Sequence, residues 1–98
     1  MLHILNKSPL ETTTLDTVLR LAQKGALLLI EDAVYAATEG NAAAPKLREA
    51  AARLRIYVLE PDLQARGVAD RVIDGVTKVD YGGFVDLVIE YPTNQSWL

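Results

Sequence analysis

The chain contains no cysteine among its 98 residues. Without a thiol it cannot form a disulfide, offer a thiolate to a metal ion or carry sulfur as a persulfide. Histidine is nearly as scarce, because His3 is the only one. The sequence therefore lacks the side chains that most often hold transition metals, and we predict neither a metal site nor a cofactor.

Long runs of basic or of apolar residues are also missing. The formal net charge is -3, and no cluster of lysine or arginine offers a surface for phosphate backbones, which disfavours direct nucleic-acid binding. The first residues lack the charged start and the apolar core, about 7–15 residues long, of a signal peptide. No apolar run reaches the roughly 18 residues needed to span a bilayer. We expect a cytoplasmic protein without membrane contact.

Hydrophobic residues are plentiful, at 50% of the chain. A chain of this length is expected to form one domain over residues 1–98 and to bury only about 60–65% of the surface that its unfolded form exposes. Some apolar surface is then left over, which favours an oligomer over a monomer.

The segment from Ala26 to Ala37 is the most informative part of the sequence. Its first five residues are all apolar, as expected for a central strand of a parallel sheet that is covered on both faces. Glu31 and Asp32 follow at the carboxyl end of this strand, where α/β proteins build contact surfaces. The next turn is apolar all round, so we predict that Val34 and Tyr35, with the two carboxylates, meet another chain.

Strands and helices alternate along the rest of the chain. Apolar periodicity predicts a first helix from Thr13 or Thr14 up to Gly25, a second that begins at Pro45, and a last helix capped by Asp80 in which Tyr81, Phe84, Val85 and Val88 share one face. The predicted strands are 2–5, 26–30, 56–59 and 76–79, the last at a sheet edge, and 68–75 is predicted as a loop. This order predicts an α/β fold with three layers, in which a four-stranded, mainly parallel sheet has helices on both faces.

Few side chains are placed to carry chemistry. Lys7 and Ser8 could hold an anion, but a solvated lysine beside a turn-forming serine is the better interpretation. His3 could pair with Glu31 or Asp32 as a metal or acid–base site, yet a buried histidine with a structural hydrogen bond is favoured. For Glu31 and Asp32 themselves, a helix cap and a contact-forming carboxylate are preferred to a catalytic pair.

Trp97 lies one residue from the end of the chain, after the polar segment 93–96. A large indole on a polar tail is stabilised only if it is buried, so we predict that Trp97 docks near the sheet edge, within or between subunits. Trp97 is therefore predicted, with Glu31, Asp32, Val34 and Tyr35, to be an interface residue.

Several segments, in this order, resemble one known family: the opening Met1-Leu2-His3-Ile4-Leu5-Asn6-Lys7-Ser8-Pro9, Leu29-Ile30-Glu31-Asp32-Ala33-Val34-Tyr35-Ala36-Ala37, Tyr57-Val58-Leu59, Asp62-Leu63-Gln64-Ala65-Arg66-Gly67, Val79-Asp80-Tyr81-Gly82-Gly83-Phe84-Val85-Asp86-Leu87 and the terminal Trp97. The family is DsrH/TusB, and the resemblance spans essentially the whole chain.

The resemblance implies a DsrE-like fold and a subunit of a cytoplasmic sulfur-relay complex. That complex holds two copies each of three homologous subunits, the partners being DsrE/DsrF-like or TusD/TusC-like, and hands persulfide sulfur between carrier proteins. TusB-type members serve 2-thiolation of the tRNA wobble uridine, whereas DsrH-type members serve sulfur oxidation, to which the tail 70–98 looks closer. The sulfur-carrying cysteine belongs chiefly to the DsrE or TusD partner, so no catalytic residue is carried over to this chain.

The resemblance thus implies a non-catalytic subunit of a sulfurtransferase complex. The alternative from another class is a small stand-alone enzyme that binds a nucleotide or a metal at the carboxyl edge of the sheet. Its only support is the fold class, which is weak evidence for a function.

Overall fold

The computed structural model describes residues 1–97, and Leu98 lies outside the described residues. Strands and helices alternate through most of it. The elements in chain order are β1 Leu2–Leu5, α1 Thr14–Leu21, β2 Ala26–Leu29, a 3-10 helix Glu31–Ala37, α2 Ala44–Ala50, β3 Arg55–Leu59, α3 Glu60–Ala65, β4 Val76–Val79, α4 Tyr81–Glu90 and β5 Asn94–Trp97.

The strands form one sheet in the order β4-β3-β2-β1-β5, with every neighbouring pair parallel. β2 is the middle strand, and all four of its residues are buried. Helices cover both faces, so the predicted three-layer α/β class is confirmed. The predicted edge position of β4 is confirmed as well.

The strand count differs from the prediction, because the structure adds β5. Residues 93–96 were expected to be a polar tail after a last strand at 76–79. Instead Asn94–Trp97 pairs with β1, from Leu2 opposite Asn94 to Leu5 opposite Trp97. The backbone groups of β1 supply the hydrogen bonds that make this polar segment a strand.

Local sequence signals set several element boundaries as predicted. The Asp80 carboxylate accepts a hydrogen bond from the Gly83 amide at 2.8 Å and caps α4. Pro45 lies in the first turn of α2. The predicted end of the first helix at Gly25 is wrong, because α1 ends at Leu21 and Ala22 is already extended. Gly25 instead has φ of +105° just before β2, where a side chain would collide with the Met1 carbonyl oxygen.

Two apolar clusters lie on opposite faces of the sheet. The front face is the one that packs against α1, the 3-10 helix, α2 and α3. Its strand residues include Leu27, Leu29, Ile56 and Val58. On the back face, Leu2, Ile4, Ala26 and Leu28 pack against Leu87 of α4. Within residues 1–97, α4 is the helix that covers the back face.

The contact face of α4 differs from the predicted one. Leu87 is buried, with Phe84, Val88 and Tyr91 partly buried around it. Tyr81 and Val85 were expected to share the face of Phe84 and Val88, but both are exposed. The apolar part of α4 is therefore wider than the part that the sheet covers.

Candidate functional site

The predicted edge residues Glu31 and Asp32 begin the 3-10 helix at the carboxyl ends of the strands. The Glu31 amide donates a hydrogen bond to Asp62 Oδ2 at 2.6 Å, and Glu31 Oε2 accepts one from Asn6 Nδ2 at 3.3 Å. Glu31 has φ of +50°, a conformation that non-glycine residues rarely adopt. The bond to Asp62 holds it there.

Arg66 of the segment after α3 connects the two acidic residues Asp32 and Asp62. Its Nε lies 2.9 Å from Asp32 Oδ1, and its Nη1 donates to the Asp62 carbonyl oxygen at 3.2 Å. The Arg66 side chain is only 22% exposed. Ion pairs and hydrogen bonds at this edge therefore join the ends of β1 and β2 to α3, while Asn6 Oδ1 is buried without a hydrogen-bond partner among residues 1–97.

The predicted helix cap at Glu31 and Asp32 is wrong. The residue before the 3-10 helix is Ile30, whose apolar side chain makes no capping bond, and the first amide of the helix, that of Glu31, donates to Asp62 of α3. The Glu31 carboxylate instead accepts from Asn6, and the Asp32 carboxylate accepts from Arg66. Both carboxylates therefore make contacts within their own chain.

Val34 and Tyr35 follow on the 3-10 helix. Val34 is fully buried, as are Ala33, Ala36 and Ala37, within the front cluster of this same chain. Val34 was expected to meet another chain, but α2, α3, β2 and β3 pack against this helix and bury Val34 within its own subunit. Tyr35 is partly buried against that cluster and keeps some accessible surface.

His3 and Trp97 meet on the front face of β1 and β5. The Trp97 Nε1–H donates to His3 Nδ1 at 3.2 Å, and the ring centroids are 6.1 Å apart. His3 is 7% exposed, and Trp97 packs partly buried against the front cluster. Burial lowers the pKa of His3 below its usual 6.5, and the N-terminal ammonium group lowers that pKa further.

This geometry confirms the structural interpretation of His3 and the docked position of Trp97. Because Nδ1 accepts the indole proton, the imidazole is neutral with its proton on Nε2. No hydrogen bond or ion pair joins His3 to Glu31 or Asp32 among residues 1–97. Nor do those residues contain a group of three histidines and carboxylates that could hold a metal ion.

The loop after β1 is held by Ser8, which is 5% exposed. Its hydroxyl oxygen accepts a hydrogen bond from the Leu10 amide at 3.1 Å, and its carbonyl oxygen accepts from Glu11 and Thr12. These contacts confirm Ser8 as a turn-forming residue. Lys7 is exposed beside it, as expected for a solvated lysine.

Sequence reasoning missed the exposed apolar side chains of α4. Tyr81, Val85 and Ile89 are 62%, 57% and 73% exposed, and their spacing of four residues places them in one row. We call this row the α4 stripe. The signal was in the sequence, since only Asp86 and Glu90 are charged between Tyr81 and Glu90.

The comparison with known families is decisive. A family model described as "DsrH like protein" matches residues 7–94. The chain belongs to the DsrH family. It is also 41% identical to Protein TusB of Pectobacterium parmentieri and 38% identical to Protein TusB of Escherichia coli K12. Each match runs over 98 residues and covers 99% of this chain and 100% of the relative.

Solved structures share the fold of this DsrH-family chain. The YchN protein of E. coli superposes with a TM-score of 0.82 at 19% identity, covering 98% of this chain and 97% of YchN. MTH1491 of Methanobacterium thermoautotrophicum, a protein of unknown function, gives a TM-score of 0.76 at 16% identity, covering 98% and 96%. At these identities the likeness concerns the fold alone. No helix within residues 1–97 is long and apolar enough to cross a membrane.

Proposed function

We propose that this chain, one domain over residues 1–98, is a non-catalytic subunit of a cytoplasmic sulfur-relay complex. The complex is a heterohexamer with two homologous DsrE/DsrF-like (TusD/TusC-like) subunits, and it passes persulfide sulfur between carrier proteins. Membership in the DsrH family and similarity to TusB over the full length support this role.

The observation that carries the non-catalytic part is the absence of cysteine. A persulfide forms on a thiolate, and neither a hydroxyl nor an imidazole replaces sulfur in that chemistry. The polar groups at the carboxyl edge also bind one another, as in the contacts of Arg66 with Asp32 and Asp62. The transferred sulfur must then reside on a partner subunit.

The names of the relatives favour the tRNA pathway over sulfur oxidation. The tail 70–98 looked closer to DsrH-type members, but the TusB relatives match this chain over 98 residues. Tail length therefore does not separate the two branches. We propose that the complex serves 2-thiolation of the tRNA wobble uridine.

Four of the five predicted interface residues retain accessible surface. Glu31 is exposed, and Asp32, Tyr35 and Trp97 are partly exposed. We propose that these four contact a partner at the carboxyl edge of the sheet. Val34 is withdrawn from this set because its side chain lies in the core of its own subunit.

The test is intact-mass analysis of the three subunits after the co-expressed complex has been treated with inorganic polysulfide. We expect one or more added sulfur atoms on a cysteine-bearing partner and an unchanged mass for this chain. Treatment with a thiol reductant should remove the added mass from the partner. A sulfur adduct on this chain that the reductant removes would contradict the proposal.

A further inference from the structure

The back face of the sheet has less cover than the front face. Four helical segments lie over the front face, whereas α4 covers the back face within residues 1–97. In the parallel pairing of β1 and β5, Asn94 lies beside Leu2 and Ser96 beside Ile4, so both belong to the back face. Both are exposed, which leaves the back of β5 uncovered.

The two flanks of α4 differ in chemistry and in position. Glu90 Oε1 lies 4.0 Å from Arg55 Nη1 at the start of β3, so the flank with Asp86 and Glu90 points towards β3. The α4 stripe lies on the other flank, because successive residues turn by 100° around a helix. It therefore borders the uncovered back of β1 and β5.

The stripe is unusual for a surface in contact with water. Its three members occupy consecutive turns and continue the apolar face that Phe84 and Val88 begin. Apolar patches of this kind on a small protein mark contact surfaces. Three side chains cannot supply the roughly 800 Å² that each partner contributes to a stable interface, so the footprint must extend onto β5.

The charges around the stripe define the kind of partner. Residues 70–98 contain five carboxylates and two basic side chains, and this difference of three equals the whole net charge of the chain. Asp80 and Asp86 lie next to the stripe in sequence, and Asp86 makes no ion pair among residues 1–97. A partner with lysine or arginine around an apolar surface complements this rim.

The same charges disfavour a second copy of this chain. A two-fold contact of α4 with α4 would place Asp86 of one copy near Asp86 of the other, and like charges at an interface oppose association. We propose that Tyr81, Val85 and Ile89 dock a homologous but non-identical subunit, which presents an apolar surface with a basic rim. This inference rests on the proposed function and adds a second contact surface of the hetero-complex to the one at the carboxyl edge.

The experiment compares Val85→Glu/Ile89→Glu with Leu21→Glu in the complex co-expressed with the DsrE-like and DsrF-like subunits. Leu21 is a matched control, because it is 59% exposed and lies on α1 in the front layer. We expect the double variant to weaken assembly at least about 30-fold, the effect of losing an interface hot spot, with little change for Leu21→Glu. Size-exclusion chromatography with light scattering measures assembly.

Charge and folding are checked separately. Asp86→Lys should weaken assembly more than Asp86→Asn, and the difference should shrink as salt is added. Circular dichroism and thermal midpoints of the isolated variants should match the wild type, since all these positions are exposed.

Four results would overturn the inference. Assembly of Val85→Glu/Ile89→Glu at wild-type strength would overturn it while leaving the proposed function intact, as would equal losses in this variant and Leu21→Glu. A homodimer of the isolated chain that Val85→Glu/Ile89→Glu dissolves would make a second copy the occupant. A wild-type chain that binds neither partner would overturn the proposed function together with this inference.

Discussion

At the scale of residues, the single histidine and the single tryptophan of the chain contact each other although 94 positions separate them. Each role was predictable alone: a lone histidine on an apolar strand needs a hydrogen bond, and a terminal indole needs burial. Their pairing was not predictable, because it depends on β5 lying beside β1.

At the carboxyl edge of the sheet, too, the residues were predictable and their partners were not. Composition and position identified Glu31 and Asp32 as polar residues after a buried strand. Their partners Asp62 and Arg66 lie about thirty residues away on another element, as the hydrogen bonds show. Contacts over such sequence separations arise from tertiary packing, which a single sequence does not encode in any local pattern.

Stability should fall as the pH falls below the usual histidine pKa of 6.5. Burial lowers the pKa of His3 in the folded chain, so the unfolded chain binds a proton first and the free energy of unfolding decreases. The loss levels off below the lowered folded pKa. Protonation of Nδ1 also removes the acceptor of the Trp97 indole. Thermal midpoints and tryptophan emission across this range measure the effect.

The control is His3→Gln, which retains an amide group that can accept a hydrogen bond and does not titrate. The thermal midpoint of this variant should depend less on pH in this interval than that of the wild type. The carboxylates are the same in both proteins, so their effect on the midpoint cancels in the comparison. Identical slopes for the variant and the wild type would show that His3 does not control the change.

At the scale of elements, the helices and strands that carry a local sequence pattern were predicted, whereas β5, which carries none, was missed. Helices α1, α2 and α4 carry apolar periodicity, to which α2 adds a proline in its first turn and α4 the Asp80 cap. Strands β1 to β3 are mainly apolar. In β5, Asn94, Gln95 and Ser96 have low strand propensity, and pairing with β1 overrides it. Burial of the 3-10 helix escaped prediction because it depends on the helices packed around it.

The cap of α4 gives a prediction at this scale. Asp80→Ala removes the acceptor of the Gly83 amide, and we expect the free energy of unfolding to fall by about 1 kcal/mol. Asp80→Asn retains a capping oxygen and should lose less. Urea unfolding followed by tryptophan fluorescence measures both variants. Equal losses would show that the carboxylate acts through its charge on the helix dipole rather than as an acceptor.

At the scale of the whole molecule, β5 shields an otherwise open edge of β1. Removal of residues 92–98 should expose the backbone groups of Leu2–Leu5, all apolar but for His3, and promote intermolecular pairing. We expect raised light scattering and lower soluble yield than for the full chain. Removal of Leu98 alone is the control. A truncated chain that stays as soluble as the control would show that β1 is protected in another way.

The order of the elements along the chain affects synthesis as well. Helix α4 and strand β5 leave the ribosome after the other elements of the sheet, so the back face of β1 and β2 and the edge of β1 stay open until these two elements have been made. Earlier elements can assemble the front layer on the nascent chain, but they cannot finish the sheet. Leu2, Ile4, Ala26 and Leu28 are then accessible to chaperones, and the back face of the sheet can pack only after α4 has been made.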